Sequence, residues 1–122
     1  MSELLDLTDQ IAELERKRQS LKKEISRLSG KMRLIAARHT LDIWQATDKK
    51  GRRIYSNERV REAELLQRLH NDKEYQELRE KLERLEDEYD NLLIEIERLR
   101  EKREILMIES GLHPQLSEPS GR

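Results

Sequence analysis

Two runs of apolar residues, each stepping alternately by three and four, govern what this chain can fold into. The first reads Leu4, Leu7, Ile11, Leu14, Arg18, Leu21, Ile25, Leu28, Met32, Ile35. The second reads Tyr75, Leu78, Leu82, Leu85, Tyr89, Leu92, Ile96, Leu99, Arg103, Leu106. Nine of the ten positions in each run are apolar, and mostly Glu, Lys, Arg, Gln and Ser lie between them. That spacing is the heptad of a coiled coil. Both runs cover 31 residue steps. If the chain folds back so that facing residue numbers sum to 110, every a position meets a d position: Leu4 with Leu106, Ile25 with Leu85, Ile35 with Tyr75. The expected fold is therefore all-α: an antiparallel two-helix coiled-coil hairpin with a short turn-and-helix tip, itself oligomeric. Arg18 would face Leu92 and Arg103 would face Leu7, each running its head out to water. A parallel homodimer competes, because Ile at a and Leu at d suit parallel pairs. The second run, with mostly Leu or Tyr at a, favours it less.

Composition agrees with extended helix. Of 122 residues, 42% are charged and 34% hydrophobic, with one Trp, three Tyr and no Phe. A compact enzyme core needs more large apolar side chains than that. The chain has no cysteine, which removes disulfides, thiolate metal sites and cysteine nucleophiles. No apolar run approaches the ~18 residues of a membrane span. Acids stand where a signal peptide would be basic and apolar. The expectation is a cytoplasmic protein with no membrane partner. The segments expected are a long helix over 2–46, a basic loop over 47–56, a short helix or the first part of the second long helix over 57–70, a long helix over 72–109 and a flexible tail over 110–122.

The middle of the chain breaks the heptad. Leu34, Ala37, Leu41 and Trp44 form a stripe one residue out of phase with Ile35, so the apolar face of the first helix is expected to rotate there. Val60, Ala63, Leu66 and Leu69 suggest a short amphipathic stretch. Ser56 or Asn57 is the expected cap of the helix that follows the loop. Asn71 and Glu74, at capping-box spacing, offer a second start, with either a kink or a break near His70 to Asp72.

Charge singles out this middle. Residues 31–70 hold ten Lys/Arg and five Asp/Glu, or +5, while the rest of the chain is −6. Lys49, Lys50, Arg52 and Arg53 flank Gly51, with Arg59 and Arg61 close behind. Such a cluster can neutralise phosphates or another anion, and Trp44 or Tyr55 can stack on an exposed base. A solvated basic turn explains the same residues, with Ile54 and Tyr55 packed on Trp44. Away from the middle, Leu5, Leu93, Ile94, Ile105, Met107, Ile108 and Leu112 lie off the two-helix seam. Two helices cannot bury them, so they are the candidate surface for a dimer or a partner protein. Leu112 folding back on Ile108 is the local alternative. His39, His70 and His113 have no metal-ligand spacing, and His39 in a polar layer at the end of the seam explains it better. No nucleophile elbow or glycine-rich phosphate loop occurs. No catalytic residue, metal, cofactor or small-molecule substrate is expected, and the chain is not expected to be an enzyme.

Gly51, Tyr55, Ser56, Asn57, Glu58 and Arg61, before the leucine-rich stretch at Leu65 and Leu69, form a G-x-x-x-Y-S-N-E-x-x-R segment. This segment resembles that of uncharacterised bacterial and mobile-element coiled-coil proteins. The resemblance covers residues 47–75 and implies a bacterial or mobile-element origin, with the tip as the distinctive part. In length and helix–tip–helix plan the chain is also similar to prefoldin-type chaperone subunits, but it lacks their strand pairs.

The leading expectation is a non-enzymatic adaptor or assembly subunit that oligomerises through its open end and presents a basic tip to another protein. The alternative is a nucleic-acid-binding accessory protein that uses the tip. A prefoldin-like holdase that uses the apolar end comes third.

Overall fold

Alternating short apolar steps with strong helix formers between them give helices, and only loop chemistry interrupts them. The computed structural model describes residues 2–111. In them the chain forms three α-helices and no strand: α1 (Ser2–Gln45), α2 (Glu58–Asn71) and α3 (Lys73–Glu109). Leu112, His113 and the rest of the expected tail lie outside the described residues. Gly111 at φ 73° ends α3, where its N–H donates to the Ile108 carbonyl at 3.1 Å. Positive φ costs glycine nothing, hence its use just past a helix C-terminus.

The chain divides into two compact units. Unit 1 comprises Met1–Lys22 and Asp87–Arg122, and unit 2 comprises Lys23–Glu86. In unit 1 the buried apolar side chains are Leu7, Ile11 and Ile96. Seam neighbours Leu4, Leu14, Leu92, Leu99 and Leu106 are half-buried around them. Arg18, in the seam, donates from Nη1 to Tyr89 Oη at 3.2 Å and from Nε to Glu15 Oε1 at 2.7 Å. Arg100 also donates to Glu15, from Nη2 to Oε2. The expectation that Arg18 simply extends to water past Leu92 is therefore corrected. A phenol and a carboxylate receive its half-buried guanidinium, which avoids an unpaired charge beside the core.

In unit 2 the buried side chains are Leu28, Ile35 and Ile43. The rotated stripe expected in α1 does not carry the packing. Leu34 is 52% exposed, Leu41 56% and Trp44 41%. The buried face instead runs from Ile35 through half-buried His39 to Ile43, by two steps of four. A polar residue can stand in that line because His39 Nε2 bonds Asp72 Oδ2 at 2.7 Å.

The phase of α2 also differs from expectation. Val60, Ala63 and Leu66 are exposed, while Arg61, Leu65, Arg68 and Leu69 are half-buried. Asn57 caps α2, its Oδ1 accepting from Val60 N at 2.9 Å. Asp72 separates α2 from α3 as a single extended residue at φ −84°, ψ 109°. Its N–H donates back to the Leu69 carbonyl at 3.2 Å. Its Oδ1 accepts from Tyr75 N at 2.9 Å, opening α3. The second start is thus capped by Asp72 and not by an Asn71–Glu74 box. Asp72 alone can reach both the α3 amide and His39. Gln76 Nε2 satisfies a carbonyl at the end of α2 by donating to Leu69 O at 2.9 Å.

Candidate functional site

The loop between α1 and α2 is built from Asp48 and Gly51. Gly51 N donates to Asp48 O at 3.0 Å, closing a turn over Lys49 and Lys50. Gly51 sits at φ 80°, the left-handed region that the residue after such a turn occupies. Asp48 N donates to Arg52 O at 2.8 Å, Ile54 N donates to Ala46 O at 3.1 Å, and Thr47 and Arg53 form an isolated antiparallel bridge. The Asp48 carboxylate ties the loop together. Its Oδ1 accepts from Lys50 N at 2.8 Å and Arg52 N at 2.9 Å, and its Oδ2 from Arg52 Nε at 3.2 Å. The backbone N–H of Arg52, helped by that of Lys50 and by the Arg52 guanidinium, holds the Asp48 carboxyl below its ordinary value.

The six basic candidates divide by what they touch. Arg52 pairs with Asp48. Arg53 and Arg61 lie over the Trp44 ring, with guanidinium carbons 4.7 and 3.9 Å from its centroid. Arg61 Nη1 also donates to the Tyr55 carbonyl at 3.2 Å. Lys49, Lys50 and Arg59 are exposed and make no ion pair among the described residues. The basic surface open to an anion is thus chiefly these three, with Arg52 and Arg53 beside them.

The aromatic pair does not pack as expected. Ile54 is 53% exposed, and arginines, not Ile54 and Tyr55, cover Trp44. Arg68 lies over Tyr55 at 5.7 Å from the ring centroid, with Nη2 at 3.4 Å from its Oη. Glu64 Oε2 fixes that guanidinium by accepting from Nε at 2.8 Å. Cation–π contacts of this kind contribute ~0.5–1 kcal/mol at partly exposed sites. They brace the loop against α2, with two guanidinium groups already over the Trp44 ring, which is 41% exposed. Thr40, Ile43, Trp44, Arg61 and Leu65 line a shallow groove of about 200 Å³ beside that stack.

Sequence reasoning missed Arg68 and the stacking role of Arg61. Counting from the Asn57 cap would have found both, because Arg61, Leu65, Arg68 and Asp72 then fall on one helix face.

The apolar candidates belong to unit 1. Leu5 is 61% exposed, Leu93 41%, Ile94 67%, Ile105 55% and Ile108 48%, while Met107 is half-buried. Leu112 lies outside the described residues. Among the described residues no group of three or more His, Asp or Glu side chains stands where it could hold a metal ion. No helix among them is long and apolar enough to cross a membrane. The chain matches no protein-family model, no curated protein and no solved structure.

Proposed function

We propose that the chain is a non-enzymatic coiled-coil hairpin protein, an adaptor or assembly subunit, that self-associates through unit 1 and presents its basic loop to a partner. The observation that carries this reading is the apolar surface of unit 1. Four large aliphatic side chains, Leu5, Ile94, Ile105 and Ile108, are each about half exposed or more, beside only three buried ones. Exposed apolar surface of that kind marks an interface, and a two-helix core this thin gains stability by pairing. The hairpin reading is supported by the partners of α1, whose numbers fall as those of α1 rise. In unit 1 Glu15 meets Arg100 and Arg18 meets Tyr89. In unit 2 Glu24 meets Lys81 and His39 meets Asp72.

A second reading, nucleic-acid binding at the loop, draws on Lys49, Lys50 and Arg59, whose side chains make no ion pair within the described residues. It favours phosphate contact over base stacking, since Arg53 and Arg61 already lie on Trp44.

Two variants separate the readings. Ile94→Glu with Ile105→Glu is expected to leave a helical monomer by light scattering, and an unchanged mass would contradict the adaptor reading. Lys49→Glu with Lys50→Glu is expected to leave the mass unchanged. If the nucleic-acid reading holds, that variant also abolishes an electrophoretic shift that the parent shows in low salt and loses in high salt.

A further inference from the structure

The two units carry opposite charge. Unit 1 holds nine Lys/Arg and fourteen Asp/Glu, a net of −5, and unit 2 holds sixteen Lys/Arg and twelve Asp/Glu, a net of +4. Each unit also has helix faces with exposed apolar side chains among the described residues.

In unit 1 one such face is on α3. Ile94, Ile105 and Ile108 fall within about 60° of arc at ~100° per residue, on the side away from half-buried Leu92, Leu99 and Leu106. Glu97 and Glu101 lie on the same strip, and Arg98 beside it is tied to Glu95. The strip reads apolar, acidic, acidic, apolar, apolar.

In unit 2 the matching face is on α1. Lys31, Leu34, Arg38 and Leu41 follow one another at steps of three, four and three on the side away from buried Ile35 and Ile43. This strip reads basic, apolar, basic, apolar, with exposed Asp42 beside Arg38. Glu97, Glu101 and Arg38 have no hydrogen bond or ion pair within the described residues, and Lys31 acts only on the Glu24 carboxylate, through its charge.

We propose that the acidic–apolar strip of α3 (Ile94, Glu97, Glu101, Ile105, Ile108) docks on the basic–apolar strip of α1 (Lys31, Leu34, Arg38, Leu41) of a second copy of this chain. The occupant is a second copy because the chain itself carries both halves of the match. Pairing unit 1 with unit 1 would instead bring two −5 surfaces together. The inference rests on self-association through unit 1, and it names what unit 1 meets. The loop at Lys49 to Arg53 takes no part.

The test uses two charge-reversed full-length chains: Glu97→Lys with Glu101→Lys, and Lys31→Glu with Arg38→Glu. All four positions are exposed, and helicity by circular dichroism checks that each variant folds. Sedimentation equilibrium in low salt is expected to show the parent as a dimer and each variant alone weakened at least about tenfold. An equimolar mixture of the two variants is expected to recover parental association, because each mixed contact again pairs acid with base. If the Lys31→Glu, Arg38→Glu chain associates as tightly as the parent, the docking site is not on α1. Self-association through unit 1 then stands without it. If both variants weaken and the mixture does not recover, the pairing of these two strips is overturned. A parent that stays monomeric removes this inference and the self-association reading together.

Discussion

Unit 1 and unit 2 each bury three large aliphatic side chains and each leave large apolar side chains exposed, yet the polar contacts that join their elements differ. Unit 2 is closed by polar and aromatic chemistry: the Asp48 loop, the Asn57 cap, the Asp72 junction with His39, and arginines laid over Trp44 and Tyr55. Unit 1 joins its helices through Arg18 and Arg100 on Glu15 and Tyr89 and leaves Leu5, Ile94, Ile105 and Ile108 exposed, and unit 2 likewise leaves Leu34, Leu41, Ile54 and Leu66 exposed. Equal cores with unequal finishing mean that burial alone does not distinguish the units. What distinguishes them is how much polar and ring chemistry joins their elements, not how much apolar surface each leaves open.

The largest effects should come from the cores and should be alike. Ile96→Ala in unit 1 and Leu28→Ala in unit 2 are each expected to cost about 3 kcal/mol in urea unfolding at one protein concentration. A loss below about 1 kcal/mol at either site would break the equivalence of the two cores. The polar finishing of unit 2 comes next. Asn57→Ala is expected to cost about 1 kcal/mol through the lost cap. Arg61→Ala should cost a similar ~1 kcal/mol through the lost stack on Trp44, visible as a change in indole fluorescence. No change from either substitution would mean that the loop chemistry does not hold unit 2.

Gly30 sharpens the comparison in the other direction. It lies inside α1, where a glycine weakens the helix, and an added methyl would meet nothing closer than Arg33 Nη2 at 3.9 Å. Gly30→Ala is expected to stabilise by ~0.5–1 kcal/mol. The smallest effect is on pH dependence. Asp48 and Asp72 are both held below the ordinary carboxylate value. Arg52 N–H is the main cause at Asp48, and at Asp72 it is Tyr75 N–H followed by His39. A depressed folded value adds stability above the unfolded value near ~4. That stability is lost as pH falls through the folded one. The Asp48→Asn, Asp72→Asn chain should therefore show a flatter acid limb in thermal melts, with a gap from the parent that closes as the acids protonate.

The heptads of both seams can be read directly, because a period of three and four survives any uncertainty about partners. What could not be read was phase beyond Ile35. Leu34, Leu41 and Trp44 are larger and more apolar than His39, so a hydrophobicity count turns the helix the wrong way. The deciding feature, the bond from His39 to Asp72, joins residues 33 apart. The same holds for α2, where Val60 and Leu66 attract attention while Arg61 and Arg68 do the packing through ring contacts. In the loop, Asp48 and Gly51 signal a turn, but which arginines would stack and which stay open depends on the direction in which the turn sends the chain. The exposed aliphatics of unit 1 were legible as off-seam residues. What covers them is not a property of one chain's heptads.

The most direct test is the light-scattering mass of the full chain across a wide concentration range in low salt. The account predicts that the mass rises from the 14.7 kDa of one chain towards twice that value. A mass that stays at one chain at every concentration would contradict it, leaving the apolar residues of unit 1 to a different protein.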